Sequence, residues 1–244
     1  NGWLASGSAD GVVKVWDVSF RREVATLGGH AAEITALAVL PDGNLLSASA
    51  EGVVKVWDLE EGREVMELHR VVTALAALEG GGFATGAPDD AAIRLWGHDM
   101  RMEVGKLRGH MERVTALAQL QDGRLASGSR DFTIRFWDLG AQKGVAQLRG
   151  HQNWVTALCV LPRGGLMSSS TDGTIKLWDV EALAEVSSIR GHGSGVTAVT
   201  ALPQSGFIAM GSRDRCLRVW THTRSGQEVR PRRRCSEPSL PELE

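Results

Sequence analysis

Apolar and polar positions alternate along this chain in short runs, each closed by a turn signal. "VTALAQLQDG" (114–123) opens on alternating apolar residues and stops at Asp-Gly, which predicts a half-buried strand followed by a turn. "RLASGS" (124–129) reads as a second strand, and Asp131 then opens a tight turn. "TIRFWD" (133–138) is a third, rich in the β-branched and aromatic residues that suit a pleated surface. "GVAQL" (144–148) is the fourth. No stretch of the unit carries a helical period.

The unit recurs. Tryptophans stand at Trp16, Trp57, Trp96, Trp137, Trp178 and Trp220, at steps of 41, 39, 41, 41 and 42 residues. Aspartate follows in "VWD" (15–17), "VWD" (56–58), "FWD" (136–138) and "LWD" (177–179). Gly-His pairs end at His30, His110, His151 and His192, each 27 or 28 residues before a repeat tryptophan. Four strands per ~40 residues, repeated, predict an all-β fold of β-propeller blades. On these residues the chain resembles the WD40-repeat family over roughly 1–230.

That resemblance implies a buried hydrogen-bonded set in each blade: the Gly-His histidine, a second-strand serine or threonine, the turn aspartate and the third-strand tryptophan. The sequence repeats the set at His110, Ser129, Asp131 and Trp137; at His151, Ser170, Asp172 and Trp178; and at His192, Ser212, Asp214 and Trp220. Either serine of a Ser-x-Ser pair has the right chemistry for the hydroxyl position. Indole offers one donor, imidazole a donor and an acceptor, and carboxylate only acceptors, so the members satisfy one another. Serine, histidine and aspartate are also the parts of a nucleophilic catalytic site. An enzyme needs one activated serine, whereas this set recurs blade after blade. No catalytic residue and no cofactor is therefore expected. A metal site is not expected either, because residues ~41 apart take equivalent places around a ring and cannot converge on one ion.

Two repeats depart from the pattern. Glu51 stands where aspartate is expected, one methylene longer, which predicts an imperfect network there. In the third repeat "MELHRVVTAL" (66–75) has lost three residues against "AQLRGHQNWVTAL" (146–158), and His69 has no assured counterpart. Pro88 falls where other repeats have serine, and "APDDAA" (87–92) carries about one extra residue. This blade is expected to be the least regular.

The chain opens inside a repeat, since Asn1-Gly2 aligns with Asp42-Gly43 and Asp122-Gly123. About six blades follow, the first without its inner strand, as in a ring truncated at its N-terminus. Residues 231–244 read as a basic, proline-rich disordered tail. There "RRCSEP" (233–238) resembles sites that basophilic kinases modify and 14-3-3 proteins read, which makes Ser236 a candidate phosphosite.

Composition narrows the function classes. The chain is 43% apolar and 23% charged, with a formal net charge of −2. That gives no global reason to expect nucleic acid or an anionic membrane as partner. No apolar run reaches the ~18 residues of a membrane span. Three cysteines without metal-like spacing fit a reducing intracellular compartment, cytoplasmic or nuclear. The expected function is a non-catalytic scaffold for a protein or peptide, with no small-molecule substrate. The alternative is a sensor or regulatory module of a larger multidomain protein.

The repeat also shows which positions the fold leaves free. One column, before "VTAL", reads Glu33, Val71, Arg113, Trp154 and Gly195. Another, around the turn aspartate, holds Arg130, Phe132, Arg213 and Arg215 in later repeats where earlier ones have alanine, glycine or, at Asp89, aspartate. Both columns belong to one rim, which by resemblance is a face WD40 domains commonly use for binding. Arg113, Arg130, Phe132, Trp154, Arg213 and Arg215 are therefore the candidate partner-binding residues. Tryptophan and arginine dominate interface hot spots, and arginine captures carboxylate or phosphate in bidentate fashion, so an acidic or phosphorylated partner is expected.

Overall fold

The computed structural model describes residues 2–99, 101–162, 164–190, 192–202, 207–222 and 229–231. These residues form a six-blade β-propeller in which every blade is an antiparallel sheet. Blade one has three strands, Trp3–Gly7, Val13–Asp17 and Arg22–Leu27 (β1–β3). Blade two is Ile34–Val39, Leu45–Ser49, Val53–Asp58 and Arg63–His69 (β4–β7). Blade three is Ala74–Ala77, Phe83–Gly86, Ile93–Trp96 and Glu103–Leu107 (β8–β11). Blade four is Val114–Gln119, Leu125–Ser129, Ile134–Asp138 and Lys143–Leu148 (β12–β15). Blade five is Val155–Val160, Leu166–Ser170, Thr174–Asp179 and Ala184–Arg190 (β16–β19). Blade six is Val196–Leu202, Phe207–Ser212, Leu217–His222 and Val229–Pro231 (β20–β23), so its last strand runs through Pro231. Among the described residues no helix is long and apolar enough to cross a membrane.

The core lies between blades rather than within one. Each apolar cluster takes residues from two neighbours: Ile134, Phe136 and Leu148 of blade four, for example, meet Val155, Leu166 and Trp178 of blade five. A four-stranded sheet alone leaves both faces wet, and stacking buries them in series. The flanks of the series show the same thing in reverse. Leu125 and Leu166 are fully buried by the preceding blade, while the equivalent Leu4 of blade one is 57% exposed.

Bulges shape the sheets, one in the outer strand of blades one to five and one in the inner strand of blades two, four, five and six. In the inner strands Val114 pairs with Ser129 and Ala116 with Gly128, which leaves Thr115 as the extra residue. Thr156 and Thr197 are bulged in the same way. A bulge re-aims its side chain, and here it turns the hydroxyl toward the next blade. Thr115 Oγ1 donates to the carbonyl of Val155, and Thr156 Oγ1 to that of Val196 at 2.7 Å. Thr73 does the same to Val114 at 2.5 Å. In the outer strands the bulged residue is valine, at Val24, Val65, Val104, Val145 and Val186. A bulged edge is a poor template for another strand, which protects each blade from unwanted pairing.

The third blade keeps the four-stranded sheet, though three of its strands have only four residues and its inner strand shows no bulge. It carries four paired strands, and Trp96 donates to Thr85 at 2.9 Å. Ala87 rather than Pro88 takes the place of Ser129, since Gly86 pairs with Ile93 as Gly128 does with Ile134. His69 is exposed at the end of β7 and pairs with Glu67 at 2.9 Å. Asp90 is held instead by Arg94 and Lys106, so two cations replace the missing imidazole.

The interblade threonines make a direct prediction. Thr115→Val and Thr156→Val keep the side-chain shape and remove the hydroxyl, and each is expected to cost about 1 kcal/mol. Thr197, whose hydroxyl donates to Gly211 within its own blade at 3.2 Å, is expected to lose less on the same change. Equal losses at all three positions in chemical denaturation would reassign the effect to bonds within each blade.

Candidate functional site

Ser127, His110 and Asp131 lie in the linear order that a hydrolase uses. The Ser127 hydroxyl is 2.7 Å from His110 Nε2, and His110 Nδ1 is 2.7 Å from Asp131 Oδ2. Access separates this arrangement from a catalytic one. Ser127 is fully buried, and its Oγ also accepts the Trp137 indole N–H at 2.7 Å. Nδ1 thus faces the carboxylate, and Nε2 faces the serine hydroxyl. Ser168, His151, Asp172 and Trp178 repeat the geometry, as do Ser47, His30, Glu51 and Trp57. In each of these sets the serine faces an indole inside its own blade rather than solvent.

The serine of the set is the first of each pair, not Ser129 or Ser170. Leu125 pairs with Trp137, and Ser127 lies two residues further along the same face. Ser129 lies four residues along, roughly 13 Å from the point opposite Trp137, beyond reach of the indole. It ties the turn instead, donating to the Glu112 carbonyl at 2.8 Å and accepting from the Asp131 amide at 3.1 Å. Ser170 and Ser212 do the same in their blades. Blade six lacks the first serine altogether: Met210 faces Arg218 as Ser127 faces Arg135. His192 bonds Asp214 at 2.7 Å, but its buried Nε2 has no partner. The Trp220 side chain and Ser236 lie outside the described residues.

The turn carboxylates are strongly held. Burial alone would push the Asp131 carboxyl up. Hydrogen bonds from His110, Thr133 and the Met111 amide outweigh it and hold the group well below its ordinary 3.8. Asp172 is held the same way by His151, Thr174 and the Gln152 amide. Glu51 is not the imperfect substitute that its length suggested. Its longer arm reaches His30 at 2.9 Å, the Ala31 amide at 2.9 Å and Ser49 at 3.0 Å. It gains no hydroxyl from the Thr133 position, where blade two has Val53, and it is 22% exposed.

On the rim, each loop carbonyl accepts the amide of the residue before the turn aspartate. Arg113 takes Arg130 at 2.9 Å, Trp154 takes Thr171 at 3.0 Å, and Gly195 takes Arg213 at 3.0 Å. Contacts across blades link these pairs. The Arg130 guanidinium lies 4.1 Å over the Trp154 ring, and Gly195 packs against Thr171. Arg113, Arg130, Trp154 and Arg213 thus follow one another along the rim, with small residues between Trp154 and Arg213. Trp154 is 36% exposed and Phe132 42%. Phe132 and Arg215 sit in the left-handed region, at φ 70 and φ 63, where Gly11, Gly52 and Gly173 stand in other blades. Met111, 85% exposed on the same rim, was not singled out by the repeat, because it falls next to the histidine in a loop read only as a spacer.

Asp131→Ala and Asp172→Ala are each expected to cost roughly 1–3 kcal/mol by stranding buried donors. Glu51→Ala is expected to cost less, having fewer donors and more solvent. Because the folded carboxyls are held below 3.8, their stabilisation is complete above that pH. It is lost as pH falls from there toward the folded value. Denaturation curves of Asp131→Ala and the native chain should therefore converge below about pH 4. A gap constant down to pH 2 would contradict the account.

A comparison with curated proteins returns no match. The profile of the family described as WD domain, G-beta repeat matches residues 1–17, 21–58, 101–138, 142–179 and 184–221. The unmatched stretch between 58 and 101 covers blade three, where cations replace the histidine. With five matches over more than half of its length, the chain belongs to the WD40-repeat family.

Proposed function

We propose that the rim of blades four to six docks a protein or peptide segment that is acidic or phosphorylated and carries an apolar anchor. WD40 propellers are typical interaction scaffolds and generally non-catalytic, and the coarse function of this chain follows from its family. The finer reading rests on one observation, the Arg130–Trp154 stack. An indole held under a guanidinium is pre-oriented, which lowers the entropic cost of using both in binding. Arg130 has no acidic partner among the described residues, and its Nε is buried without a hydrogen bond. Arginine suits bidentate capture of carboxylate or phosphate. The strained turns add support. A non-glycine residue in the left-handed region costs about 1 kcal/mol, and a side chain kept there against that cost is a candidate for contact with a ligand.

The test is a peptide array of acidic and phosphorylated segments with and without a leucine or phenylalanine anchor. Trp154→Ala and Arg130→Glu are expected to abolish capture while leaving thermal stability nearly unchanged, and Glu33→Ala to do little. Arg215→Gly is expected to raise stability by up to about 1 kcal/mol while weakening capture. Arrays read identically by the native chain, Trp154→Ala and Arg130→Glu would move the site off this rim.

A further inference from the structure

In four blades the third strand carries a cation two residues before its tryptophan, and the outer strand carries an acid nine residues further on that neutralises it. Lys14 pairs with Glu23 at 2.6 Å, Lys55 with Glu64 at 2.7 Å, Arg94 with Glu103 at 3.0 Å and Lys176 with Glu185 at 2.7 Å. In blade four the cation is Arg135, and the residue nine positions on is Gly144. Among the described residues Arg135 makes no ion pair, and its Nε is buried without a partner. We propose that Arg135, bounded by Gly109 and Gly144, is an acceptor site for a carboxylate side chain of a bound acidic peptide, which takes the place filled in four other blades by the chain's own glutamate.

The repeat supplies the geometry. In blade five the glutamate lies beside the glycine of the Gly-His pair. A methyl group built on Gly150 would be 3.1 Å from Glu185 Oε2 and 3.0 Å from the Trp178 ring. At Gly109 the same point lies 3.1 Å from Arg135 Nη1 and 3.2 Å from the Trp137 ring. The place is reachable, since Glu64, Glu103 and Glu185 are each about a third exposed. Gly109 and Gly144 are themselves exposed and present no side chain. Arg108 and Arg149, exposed beside the two neighbouring Gly-His loops, add positive charge that favours an acidic segment. A carboxylate fits better than a bulkier anion, because the space is one that a glutamate side chain fills in four other blades. The site goes beyond the Trp154 rim and does not depend on it.

The probe is a fluorescent peptide of alternating glutamate and glycine, with its glutamine counterpart as control, read by anisotropy and by the Arg135 Nε–H resonance. The native chain is expected to prefer the glutamate peptide, with the Arg135 signal shifting on binding. Gly144→Glu should supply the acid internally, move that signal without peptide and weaken binding about tenfold, the scale of one charge-assisted contact. Gly144→Ala, which adds only ordinary contacts 3.5 Å from Trp137, should bind as the native chain does. Ala141→Glu, an equal charge on the neighbouring exposed turn, should bind nearly as well. Trp154→Ala should leave this binding intact even if rim capture is lost. Equal binding of the glutamate and glutamine peptides overturns the proposal. So does equal weakening by Gly144→Glu and Ala141→Glu, or an Arg135 signal unmoved by peptide. Loss in Trp154→Ala with no loss in Gly144→Glu would assign the peptide to the rim instead.

Discussion

A tryptophan ring packed against a neighbouring blade brings an N–H into a place without water, and that donor must be met. Leaving it unmet would cost about 1–3 kcal/mol per blade, a large share of the stability of an ordinary domain. The second-strand hydroxyl meets it, the histidine orients the hydroxyl, and the turn carboxylate orients the histidine. The chain of bonds therefore runs from the interblade core out to the rim. It ties Trp137, in the cluster shared with blade three, to the turn that presents Arg130 and Phe132. Where one link changes, its neighbours change with it. Blade three has no imidazole and gathers Arg94 and Lys106 around Asp90. Blade six has Met210 and leaves His192 Nε2 unmet.

The same bonding separates this constellation from the catalytic arrangement it resembles. The distances of 2.7 Å at both links equal those of a working triad, so geometry alone does not discriminate. The serine's second lone pair does. An attacking hydroxyl must face a substrate, whereas Ser127 Oγ faces an indole and no solvent. Repetition in the sequence and burial in the structure are two views of one fact: a contact needed between every pair of blades is needed many times.

The fold was legible because a blade buries its faces only on its neighbours, so spacing is conserved along one chain without any alignment to another. The bulges were not legible. Thr115 looks like any strand threonine, and only the pairing of Val114 and Ala116 around it turns its hydroxyl sideways. The choice between Ser127 and Ser129 was open for a similar reason, since both share a face and register decides which reaches the indole. Glu51 misled through length alone. A methylene too many for a rigid turn is no obstacle when the side chain can approach His30 and Ala31 from further out.

What the repeat conceals at its regular positions it reveals at the irregular ones. Gly144 is unremarkable as a residue in an exposed outer strand. It acquires meaning only because Glu23, Glu64, Glu103 and Glu185 stand at the same register, each on a third-strand cation. Phe132 acquires meaning in the same way, from Gly11, Gly52 and Gly173 at one φ. In both cases the fold states its own preference several times. The first preference is declined in blade four, and the second is declined there and at Ala91 and Arg215 of blades three and six. Blade three also departs at the histidine and blade six at the first serine. Blade four holds an unpaired Arg135, an Arg130 stacked on Trp154 and a left-handed Phe132. Their common direction is positive charge without an acidic partner among the described residues, beside exposed apolar surface.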